Sequence, residues 1–197
     1  MVIGVFPAFY AFILALILAL LEIQIEGRDG WAKNLPAWRP KPQSKIARWY
    51  RAAMSGKELT GYHSILFAFV LLIFFFPYAY GFPFVAAHII KTVSLFFLFI
   101  VLWDFLWFVL NPHYPLKKFT KEHVWWHKEW CAGLPVDYYY GVSLSFTLAL
   151  VGSFFVDTEI FFWWAQTFFL FCALTAMVVL FTLYILDIDN WQSRPRG

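Results

Sequence analysis

Most side chains of this sequence that can ligate a metal or move a proton lie near the ends of apolar stretches, and nearly always at the same set of ends. Glu22 and Glu26 are four residues apart and share a helix face just before Gly27, a residue suited to a C-cap. Both occupy the negative end of that helix dipole, so two like charges there call for a cation. Asp104 is enclosed by Trp103, Phe105, Leu106 and Trp107. It lies about 10 Å inside the end of its stretch at Asn111, at about 1.5 Å per residue. A carboxylate at such depth in a bilayer costs about 2.5–3.5 kcal/mol, so it should face the bundle interior, have a partner and serve a function. Asp187 and Asp189 end the last apolar run in a similar way.

The segment Thr120-Lys121-Glu122-His123-Val124-Trp125-Trp126-His127 predicts a short helix capped by Thr120, with His123 and His127 on one face at metal-ligand spacing. With His63 at the start of the second apolar stretch and His113 after the third, the expected ligand set is Glu22, Glu26, His63, Asp104, His113, His123 and His127. Such mixed nitrogen and oxygen donors suit a divalent zinc, iron or manganese ion. Asp104, Glu122 and Glu129 are the expected catalytic carboxylates, the last two as bases for metal-bound water. The plainer alternative is that these acids and histidines pair with loop lysines and arginines or stand solvated. Heme held by two histidines is not expected, because His63 and His88 begin stretches at opposite ends.

The elements that must position these groups are membrane spans. Of 197 residues, 62% are hydrophobic, 23% aromatic and only 14% charged, far from a soluble domain. Apolar runs at about 2–24, 62–82, 84–110, 139–156 and 159–186 reach the roughly 20 residues that cross a hydrocarbon core. The expected fold is thus an all-α, multi-pass integral membrane protein using residues 1–197 as one domain. Gly81-Phe82-Pro83 and Val156-Asp157-Thr158 are tight turns without Lys or Arg. The two long loops carry Arg28, Lys33, Arg39, Lys41, Lys45, Arg48, Arg51 and Lys57, then Lys117, Lys118, Lys121 and Lys128. Because basic loops stay cytoplasmic, the N-terminus is expected outside and the C-terminus, with Arg194 and Arg196, inside. The functional carboxylates and histidines then face the cytoplasm.

Within the first loop, Ile46, Trp49, Tyr50, Ala53 and Met54 fall at helical spacing opposite Lys45, Arg48 and Arg51, which predicts a short amphipathic helix in the interface. Tryptophans at 31, 38, 125, 126, 130 and 191 flank the same face, as an aromatic belt would. A net charge of +3, confined to loops, excludes nucleic acid and favours anionic lipid headgroups as partners. Cys131 and Cys172 lack CxxC spacing and give no disulfide framework. Nor does an internal repeat support a transporter built from inverted halves.

These features together predict a small metal-dependent enzyme in the cell's inner or plasma membrane, acting on a lipid or another hydrophobic substrate at the cytoplasmic face as a hydrolase or oxidoreductase. A second expectation is a non-catalytic subunit of a larger membrane complex, or of a homo-oligomer, whose 25 phenylalanines pack against partners. A third, a proton or cation transport component, lacks polar groups at mid-depth and on the outer side.

Overall fold

A computed structural model describes residues 5–188 and residue 190. The predicted start of the first span at Val2, together with Asp189, Trp191, Arg194 and Arg196, lies outside the described residues. The chain is all-helical apart from one two-residue hairpin. Its helices are α1 (Val5–Glu26), α2 (Lys45–Ala53), α3 (Gly61–Ala79), α4 (Ala86–Leu110), α5 (Val136–Phe155) and α6 (Glu159–Leu180), the last continued by a π turn at Phe181–Ile185. Five of them, all but α2, are long and apolar enough to cross a membrane.

Helix α4 is the axis of the bundle: α1, α5 and α6 all pack on it, and it is the most deeply buried span. Helix α1 meets its neighbours through Ala8, Ala11, Ala15 and Ala19, a small-residue stripe at helical spacing that lets backbones approach closely. Between α4 and α5 the close approach needs Gly141, where a Cβ would come 2.5 Å from the Val101 side chain. A buried polar clasp also joins three helices at mid-depth. The Ser94 and Ser145 hydroxyls stand 2.8 Å apart, and Trp164 Nε1 donates to Ser145 Oγ at 2.8 Å. Helices α3 and α6 bury little of their surface and turn rows such as Ile65, Phe69, Leu72 and Phe76 outward. In hydrocarbon such rows need no cover.

Two local readings of the sequence are corrected. The fourth span begins at Val136 rather than about residue 139. Pro135 ends the preceding strand, and Asp137 then sits in the first turn, where the helix dipole favours an acid. Residues 120–127 form turns instead of a helix. Thr120 does bond His123 through Nδ1, at 2.9 Å, but His123 is exposed while His127 is buried, so the two do not share a face. The local cap was legible; the packing of Val124 and Trp126 into the core overrode helical propensity.

Candidate functional site

Four helix ends and both long loops, the second through Trp126, meet at a cavity of about 240 Å³. Helix α1 contributes Glu22 and Glu26, α3 contributes His63 and Phe67, α4 contributes Trp103, Asp104, Trp107 and Phe108, and α5 contributes Asp137 and Tyr138, with Lys57 and Trp31 from the first loop. Side chains four or seven residues apart on each helix make this possible, since each presents one stripe to the cavity.

The first half of the site is Glu22, Glu26 and His63. One ligand atom from each lies within 4.8 Å of the others, the one such group of three metal-ligating side chains among the described residues. His63 Nε2 stands 3.3 Å from Glu26 and 3.7 Å from Glu22. Donors about 2.1 Å from a tetrahedral zinc are separated by roughly 3.4 Å, so these spacings match a shared ion closely. Outer contacts hold His63 and Glu26 in place. Thr60, the N-cap of α3, bonds His63 Nδ1 at 2.7 Å and fixes the ring. Trp31 stacks on the imidazole with centroids 3.9 Å apart and planes 15° from parallel. The Ala32 backbone N–H donates to Glu26 Oε1.

That support comes from the turn at Gly30-Trp31-Ala32, where φ is +64°, +46° and +50°. Two consecutive non-glycine residues in the left-handed region are unusual, and such backbone strain gathers at functional sites. Gly27, at φ +64°, caps α1 as its position in the sequence predicts, with its N–H on Ile23 O at 2.9 Å. At Gly30 a Cβ would fall 2.5 Å from the Trp126 ring. Trp31 Nε1 donates to Glu58 O at 2.9 Å and Trp125 Nε1 to Asp29 O at 3.0 Å, tying both long loops over the site.

The second half is a charge network around His127. Its Nε2 lies 3.1 Å from Asp104 Oδ2, and its Nδ1 lies 3.0 Å from Asp137 Oδ1. Only an imidazole with both nitrogens protonated can donate to a carboxylate on either side. Lys57 Nζ completes the arrangement, 2.6 Å from Asp137 and 3.7 Å from Asp104, and Tyr138 Oη donates to Asp104 Oδ2 at 2.5 Å. Lys57 is 5% exposed, so this is a buried two-by-two network of opposite charges. Its Nζ also lies 4.9 Å from the Trp31 ring, joining the two halves.

Of the residues singled out in the sequence, Glu22, Glu26, His63, Asp104 and His127 therefore come together. His113, His123, Glu122 and Glu129 are exposed, and none lines the cavity. The Glu122 carboxyl is held below its ordinary range by hydrogen bonds to its own backbone and to Thr120. Asp187 is outside the cavity, with Asn190 Nδ2 on its carboxylate at 2.7 Å. At the other end of the bundle Lys91 rests 5.8 Å from the Trp163 ring. Sequence reasoning missed Lys57, Asp137 and Tyr138. Asp137 carried a usable signal, an acid in the first turn of a span at the functional face, whereas Lys57 resembles every other lysine of its loop.

Comparison with protein-family models, curated proteins and solved structures gives no match to this chain.

Proposed function

We propose that the protein is a small integral membrane enzyme that uses one divalent metal ion, held by Glu22, Glu26 and His63, on a lipid or another hydrophobic substrate at the cytoplasmic face. The observation that carries this reading is the approach of those three donors from α1 and α3 within 4.8 Å of one another, in a cavity open enough to admit a ligand. Three protein ligands leave positions for water or substrate, the pattern of catalytic rather than structural sites. The contacts of Thr60 and Trp31 with His63 and of Ala32 with Glu26, already formed, support it further.

In this reading the metal supplies a Lewis acid and a water of lowered pKa. Asp104 lines the same cavity and, with His127 Nε2 behind it at 3.1 Å, forms the proton-handling pair, Lys57 and Tyr138 fixing the carboxylate. They are poor second-metal ligands, because each already faces an opposite charge. Zinc would direct the site to hydrolysis and iron to oxidation, and manganese is an equally suitable hard ion for these oxygen donors.

The membrane setting follows from five apolar spans with basic loops, which orient the cavity end toward the cytoplasm and the chain's N-terminus outward. Helix α2 belongs to the interface: Ile46 and Trp49 are exposed on one side, and Lys45 and Arg48 are free to meet anionic headgroups.

The test is metal analysis by mass spectrometry of protein purified without chelators. Stoichiometric metal in the wild type, lost in Glu26→Gln and in His63→Ala, is expected. A metal-free, folded wild type refutes the metalloenzyme and favours the non-catalytic subunit.

A further inference from the structure

Away from its charged end, the cavity runs along the bundle and becomes apolar but for Tyr140. On α4 the lining continues from Asp104 through Val101 and Ile100 to Phe97, spaced three, four and seven residues back along one helix face. On α5 it continues from Asp137 through Gly141 to Leu144, again seven residues. Seven residues of helix span about 10 Å, so this part enters the hydrocarbon depth. It opens sideways: Leu144 is 43% exposed, and Phe97 and Ile100 are only partly covered. A volume of about 240 Å³ is less than the roughly 300–1,000 Å³ of pockets that enclose a whole small molecule. It has room for a polar head and the first carbons of a chain, the remainder lying in lipid.

The charges select the head. A dication would neutralise Glu22 and Glu26, while Lys57 and doubly protonated His127 already match Asp104 and Asp137. With its metal the cavity is thus balanced, and burying a further net charge there would go uncompensated. Two buried indole N–H groups line the cavity without a hydrogen bond: that of Trp103, 3% exposed, which lies toward Glu22, and that of Trp107, 4% exposed, which has no protein partner. The Trp107 N–H asks for a neutral acceptor such as a carbonyl oxygen.

We propose that the cavity takes a single-chain amphiphile with an uncharged, carbonyl-bearing head, entering sideways from the membrane with its chain along Phe97, Ile100, Val101 and Leu144. This rests on the metal reading for its charge balance, and the experiment separates the two. Full-length protein in lipid nanodiscs is labelled with a decanamide carrying a diazirine in its chain, and the adducts are mapped by mass spectrometry. Decanamide, decyltrimethylammonium and decyl sulfate serve as competitors, and bound metal is measured on each preparation. Expected are adducts at residues 97–101 and 140–144, and competition by decanamide at least about tenfold better than by either charged amphiphile, a difference of about 1.4 kcal/mol. Leu144→Trp, which fills the groove, loses the label but keeps the metal. Phe154→Trp, placed on a side chain 77% exposed near the far end of α5, keeps both and controls for the added indole. Labelling indifferent to Leu144→Trp, or a preference for the ammonium or sulfate head, overturns the proposal. A metal-free wild type that still prefers the amide and loses it in Leu144→Trp overturns the metal reading alone.

Discussion

Replacing Lys57 by Met keeps most of a buried apolar stem and removes the ammonium with its charge and donors. Lys57 is 5% exposed and is the one ammonium facing both Asp104 and Asp137, at 3.7 and 2.6 Å. Deleting one partner of a buried ion pair generally costs about 3–5 kcal/mol, because the other charge stays behind unpaired. Here the loss should fall near the lower bound, about 3 kcal/mol. The two carboxylate side chains retain 23% and 16% exposure, and His127 still faces both. In a chain of this size each kcal/mol moves the melting temperature by roughly 2–4 °C, so a fall of roughly 6–12 °C is expected in detergent-solubilised protein. Adding Asp137→Asn to Lys57→Met removes the stranded charge and leaves Asp104 with His127 as a matched pair. The double variant should recover about half of the loss, so the coupling in the cycle is about 1.5 kcal/mol plus the cost of Asp137→Asn alone. If Lys57→Met melts with the wild type, or if the double variant loses the sum of the two single effects, the buried-network account is wrong.

Thr60→Ala removes the partner of His63 Nδ1 without touching a metal ligand, and should weaken metal binding by about 10–100-fold in a chelator competition titration. The exposed histidines should be silent there: His123→Ala and His113→Ala are expected to leave metal content unchanged by mass spectrometry. Ser145→Ala strands the Trp164 indole N–H and breaks the clasp with Ser94, so thermal unfolding should show a loss of about 1–3 kcal/mol with metal content intact. Gly30→Ala forces a Cβ against Trp126 at φ +64°, and should both destabilise the protein and lower its metal affinity by displacing Trp31 and Ala32.

What the sequence revealed depended on how local the physical cause was. Apolar length marked five helices long and apolar enough to cross a membrane, because hydrocarbon thickness acts on each stretch separately. Glu22 and Glu26 were legible as a pair because i, i+4 spacing fixes a shared face, and Gly27 because a helix ending needs a left-handed residue. Asp104 was conspicuous by its apolar neighbours. The route of residues 120–127 was not legible, since the turns there follow from burying Val124, Trp126 and His127 against α4, a tertiary demand that helical spacing does not express. Lys57 was hidden for the opposite reason. Nothing near it in sequence distinguishes a lysine aimed at two carboxylates from one aimed at headgroups, and only the fold of the first loop decides.

The two halves of the site differ in how their charges meet the helix dipoles, and this difference argues for where the proposed ion would sit. Asp137 lies at the N-terminal end of α5, where an acid is favoured, and its partners Lys57 and His127 come from loops. That half is complete without a ligand. Glu22 and Glu26 instead occupy the C-terminal end of α1, which disfavours acids, and their nearest base, His63, sits in the first turn of α3, where the dipole opposes a positive ring. Protonating His63 would therefore answer one local conflict by creating another. A cation supplied from outside relieves both, since it neutralises the acids while leaving a neutral imidazole nitrogen to coordinate it. Were Glu22 and Glu26 stable without a cation, added zinc or manganese would leave the wild-type melting temperature unaltered, as it would that of Glu22→Gln with Glu26→Gln. The dipole argument requires instead that added metal raise the wild-type melting temperature and not the variant's.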